Sequence, residues 1–87
     1  MSRIEHVARL AEQMHSLKSR TNRSYASLAR RIGVSSSSLH RYCRGESVPD
    51  SFEVLRRFGR LCGASPEEFS ELTRSWARAS GSGARIG

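Results

Sequence analysis

Hydrophobic residues return at three- and four-residue steps in five separate stretches of the chain, and polar or small residues fill the gaps. Ile4, Val7, Ala11 and Met14, flanked by Leu10 and Leu17, form an inward stripe over about Ser2 or Arg3 to Ser19. Leu28, Ala29 and Ile32 form a shorter one after Ser24, whose hydroxyl suits a helix N-cap. Leu39 and Tyr42, with Cys43 beside them, mark a third over about Ser36 to Arg44, with Ser35 or Ser36 as its cap. Gly33 and Gly45 punctuate these two short helices. Asp50 and Glu53 read as a reciprocal capping pair for a fourth helix, whose apolar face is Val54, Leu55, Phe58, Leu61 and Cys62 before Gly63. Ser65-Pro66-Glu67-Glu68 combines a cap, a proline at the first helical position and a glutamate at the third. It opens a fifth helix with Phe69, Leu72 and Trp76 as its packing stripe, ending near Ala79.

The pattern therefore predicts an all-α, compact five-helix bundle over residues 1–79. Residues 80–87 have the composition of a flexible tail or linker, and a continuation into a longer parent protein is the favoured expectation. A chain of 87 residues makes one small domain. No apolar run approaches the ~18–20 residues of a membrane span. Glu5 and His6 interrupt the place where a signal peptide needs its apolar core, so a cytoplasmic location is expected.

Charge sharpens the picture because of where it sits. The net charge is +7, and no Asp or Glu occurs between Glu12 and Glu46. That window holds Lys18, Arg20, Arg23, Arg30, Arg31, Arg41 and Arg44, seven cations; outside it, eight arginines balance eight acidic residues. The whole excess lies in the second and third helices and the approach to them. Such one-sided charge fits a polyanion, through counterion release from a phosphate backbone.

Catalysis and metal binding find little support. His6, His15 and His40 have no paired carboxylate or nucleophile at a spacing that would share a face, and no glycine-rich phosphate loop is present. His40-x-x-Cys43 lacks the second pair a zinc site needs. Cys43 and Cys62 fall on apolar faces and read as small buried hydrophobes. No enzyme activity, cofactor or metal is expected.

The string Ser24-Tyr25-Ala26-Ser27-Leu28-Ala29-Arg30-Arg31-Ile32-Gly33-Val34-Ser35, with Leu39, Tyr42, Gly45 and Pro49 at their spacings, resembles the helix-turn-helix domain of Cro/C1-type bacterial and phage regulators. The resemblance runs from about Ser24 to Trp76. It implies a lambda-repressor-like bundle and sequence-specific binding of double-stranded DNA by a transcriptional regulator, associated with the nucleoid. The third helix is then the recognition helix in the major groove. Carried over by position, Ser36, Ser37, His40 and Arg41 would face the bases. Arg41 is the strongest reader, because a guanidinium can bond guanine O6 and N7 together. Asn22, Arg23, Ser24, Tyr25, Ser35, Arg44 and Ser47 would face phosphates, with the amides opening the second helix aimed at an anion. Lys18 and Arg20 lie within reach of the same backbone. The resemblance also implies a homodimer through the fifth helix or a region further downstream.

Four consecutive serines, Ser35 to Ser38, depart from the family pattern, since short hydroxyls discriminate bases weakly. They leave an alternative in play: the same fold used as a protein-interaction module docking an acidic or regulatory partner.

Overall fold

The computed structural model describes residues 3–80, with side chains from Ile4 onward. Five helices follow in order: α1 (Arg3–Ser19), α2 (Tyr25–Ile32), α3 (Ser36–Arg44), α4 (Phe52–Cys62) and α5 (Pro66–Ser80). The described residues contain no strand. The architecture is the all-α bundle that the hydrophobic periodicity predicts.

The core runs through all five helices. Leu10, Met14 and Leu17 of α1 meet Leu28, Ala29 and Ile32 of α2, Leu39 and Cys43 of α3, Leu55 and Phe58 of α4, and Leu72 of α5. α1 is the spine: it packs along α5 and crosses α3, while α2 rests on α3 and α4. A two-helix motif cannot bury both of its apolar faces, and the other three helices supply the cover.

Local signals fix the motif. Ser24 caps α2 by accepting the Ser27 N–H at 3.1 Å. Gly33, at φ 94°, ends α2 in the left-handed region that a Cβ would strain. Its N–H and that of Val34 both donate to the Ala29 carbonyl, at 2.8 and 3.0 Å. Arg57 of α4 donates to the carbonyl of Ile32 at 3.4 Å, which satisfies a C-terminal acceptor that α2 leaves open. At α5, the Ser65 N–H donates to Glu68 Oε1 at 2.8 Å and the Glu68 N–H to Ser65 Oγ at 3.2 Å, a complete capping box.

Three expectations are corrected. Asp50 does not cap α4: Ser51 occupies the N-cap without a side-chain bond, and Asp50 is exposed. The helix opens two residues after Asp50, so Glu53 sits at the second helical position. Arg56 and Arg57 take its carboxylate instead, at 2.9 and 3.1 Å. The delay follows from Pro49, which is buried and whose carbonyl accepts the Trp76 indole N–H at 2.9 Å. Ile4 is 79% exposed although it continues the α1 stripe, because α1 starts before the core does and its first buried residue is Leu10. Tyr42 is half-buried, with Leu39 and Cys43 the buried members of α3. Of the tail, Ser80 closes α5 and residues 81–87 lie outside the described residues.

Candidate nucleic-acid interface

The site is built on α3, the end of α1 and the start of α2. Ser35 is the N-cap of α3: its hydroxyl accepts the Ser38 N–H at 3.0 Å and donates to the Ser38 hydroxyl at 2.9 Å. Two of the four serines are thus committed to starting the helix. Ser37, Arg41 and Arg44 are exposed and follow one another at four- and three-residue steps, so they share one outward face. Ser36 and His40 are half-buried on its flank. Beneath them Leu39 is fully buried and Cys43 nearly so.

Tyr25 joins the two helices of the motif. Its ring lies 3.8 Å from that of His40, centroid to centroid, tilted by 32°. The Lys18 ammonium stands 4.7 Å from the centre of the same ring, a cation–π contact. Burial, then Cys43, pushes the Tyr25 phenol above its ordinary value, so it stays a neutral donor. Burial likewise pushes the Cys43 thiol up to about 11, against the opposing pull of the neighbouring Tyr25. Both groups therefore stay neutral, and no metal-holding group of three His, Cys, Asp or Glu occurs among the described residues.

The sites expected for phosphate fall on both sides of this contact. Ser24 and Asn22 are exposed and Arg23 is half-buried at the entry to α2; Ser47 is half-buried after α3. The first-turn amides of α2 have no intrahelical acceptor and point out of its N-terminus. Arg44 is held by Glu46 at 3.1 Å, with both side chains open to solvent. Arg20 is turned away to Glu68 of α5 at 2.7 Å. Its pairing with a residue 48 positions later was not visible in the local pattern. Lys18, inside the acid-free window, stays at the junction of α1 and α2 over the Tyr25 ring.

Two short helices around a glycine turn, the second presenting a basic and hydroxyl-bearing face from a five-helix bundle, define a helix-turn-helix protein of the DNA-binding class. A family model described as a helix-turn-helix domain matches residues 9–72, and the chain belongs to that family. No curated protein and no solved structure matches the chain. No helix among the described residues is long and apolar enough to cross a membrane.

Proposed function

We propose that the chain is the sequence-reading DNA-binding domain of a transcriptional regulator, with α3 in the major groove of B-form DNA. The observation that carries this reading is the partition of charge. The entire net charge of +7 falls between Glu12 and Glu46, the segment that contains α2 and α3. Arg41 reads a base edge, with Ser36, Ser37 and His40 beside it. The stacking of His40 on Tyr25 leaves the imidazole edge, not its face, for a base. Asn22, Arg23, Ser24, Tyr25, Ser35, Arg44 and Ser47 line the phosphate strands. The Ser24 and Ser35 hydroxyls already accept the Ser27 and Ser38 amides as caps, which favours contact through their own backbone N–H groups over side-chain donation. With weak discrimination from serine, shape and bridging water carry part of the preference.

The test is selection from a pool of random duplexes at two salt concentrations, with the bound fraction sequenced. An enriched motif whose affinity falls steeply with salt supports the reading, and a palindrome in it gives the half-site spacing of a dimer. Salt-sensitive binding without a motif reduces the claim to non-specific binding. No binding at low salt overturns it in favour of a protein-docking role.

A further inference from the structure

α4 holds the two-helix motif at its turn. Arg57 Nη1 donates to the Ile32 carbonyl at 3.4 Å, from 25 residues further along the chain. A Cβ on Gly33 would stand 4.0 Å from the same nitrogen, so the guanidinium lies against the turn itself. Ile32 ends α2 and Ser35 caps α3, with only Gly33 and Val34 between them. The N–H groups of those two residues both go to the Ala29 carbonyl. The Ile32 carbonyl, one of the open acceptors at the end of α2, is left to Arg57.

The guanidinium is itself aimed. Its Nε donates to Glu53 Oε2 at 3.1 Å, one turn earlier on α4. Arg56 Nη2 takes the other oxygen of that carboxylate at 2.9 Å. Glu53 thus holds two neighbouring arginines, and among the described residues only Arg57 goes on to reach α2. The link adds little to stability, because the Arg57 and Glu53 side chains are 54% and 46% exposed. Its consequence is geometric. Among the described residues α4 packs on α1, α2 and α5 and makes no close backbone approach to α3. The turn is therefore the direct hold that α4 has on the start of α3.

We propose that Arg57, aimed by Glu53, is a positioning residue for the recognition helix: it braces the α2–α3 turn and fixes the angle at which α3 meets DNA. This rests on the reading of α3 as the helix that enters the major groove. A guanidinium bonding two atoms of one base needs its helix at a set angle. Attraction between a cation and a phosphate tolerates a small rotation. Loosening the turn therefore costs discrimination between sequences more than it costs affinity for DNA in general.

The experiment compares the 87-residue chain with Arg57→Met, Arg56→Met and Glu53→Ala. Hydrogen exchange of the free protein comes first. Arg57→Met keeps the apolar stem and removes the donors; it should speed exchange of the Gly33 and Val34 amides and leave those of Met14 and Phe58 protected. Arg56→Met loses the same charge and the same carboxylate partner and should change neither. Binding is then measured to the duplex selected from the random pool and to its single-base variants. Arg57→Met should lower the ratio of preferred to variant affinity by roughly threefold to tenfold. The slope of log K against log salt and the urea midpoint should stay close to those of the parent chain. Glu53→Ala adds net positive charge, so it should tighten binding to every duplex, yet it should lower the same ratio. A ratio unchanged by Arg57→Met, or lowered equally by Arg56→Met, overturns the positioning role while the DNA reading stands. A parent chain that selects no motif overturns the DNA reading and with it this role in recognition; exchange at the turn tells that failure from a turn that Arg57 does not hold.

Discussion

At the residue scale, the candidate interface separates side chains that build the motif from those free to read DNA. The Ser35 and Ser38 hydroxyls start α3, and the ring faces of Tyr25 and His40 hold α2 against it, which leaves their edges to DNA. Arg41 is exposed and forms no ion pair among the described residues, so its guanidinium is available. Arg41→Ala is expected to cost about 1–3 kcal/mol at preferred sites and to flatten preference at one base position, measured by competition binding with single-base variants of the selected motif. An unchanged preference would remove α3 from the reading role. Arg44 is different, because Glu46 holds it at 3.1 Å in an exposed pair. Such pairs stabilise little, so a phosphate displaces Glu46 at low cost. Glu46→Gln should raise affinity for every duplex alike and leave the selected motif unchanged. A gain restricted to one sequence would place Arg44 among the base readers.

At the element scale, the joints matter more than the helices. α4 and α5 meet at Gly59, which sits inside α4 and is buried. A Cβ there would come within 2.7 Å of the Phe69 ring. Gly59→Ala gains helix propensity of about 1 kcal/mol and loses more to overpacking, roughly 1–3 kcal/mol. Net destabilisation in urea unfolding is expected; a stabilised variant would show that Phe69 moves freely. The α5 cap has a pH signature. The Ser65 N–H, then the Arg20 guanidinium, holds the Glu68 carboxyl below the usual carboxylate range. A folded-state pKa below the unfolded one adds stability above the unfolded value, and this is lost as pH falls through the folded value. Glu68→Gln should therefore lower the urea midpoint near neutral pH, and the gap to the parent should close in acid, once the lowered carboxyl is protonated. Equal offsets at both pH values would assign the effect to packing. The helices themselves were legible in the sequence because apolar spacing, serine caps and glycine stops are local. The start of α4 was not, because its delay is set by Trp76 reaching back to the Pro49 carbonyl from 27 residues away. Gly59 and the Arg57 bond to α2 were missed for the same reason: each is defined by a neighbour distant in the chain. In the candidate site, the outward Arg41 and Arg44 followed from the family resemblance carried over by position, whereas the Tyr25–His40 contact spans the turn and needed the fold.

At the scale of the whole molecule, charge is sorted while the core is shared. The buried residues belong to all five helices, yet the net charge belongs to one segment. The remainder is neutral in sum: its Glu53 pairs with Arg56 and Arg57, and its Glu68 reaches Arg20 of the basic segment. If α2 and α3 meet DNA as proposed, the salt dependence of binding should report only the cations facing the phosphates. Each phosphate neutralised contributes about 0.9 to the slope of log K against log salt. Arg23→Gln/Arg44→Gln should therefore lower that slope by about two. Arg56→Gln/Arg60→Gln removes the same formal charge from the exposed side of α4 and should leave the slope unchanged. Both variants keep the buried core intact, so melting curves serve as the folding control. If the two double variants lowered the slope equally, DNA would be responding to net charge, and the orientation with α3 in the groove would fall. If only the α4 variant lowered it, the interface would lie on the opposite helices.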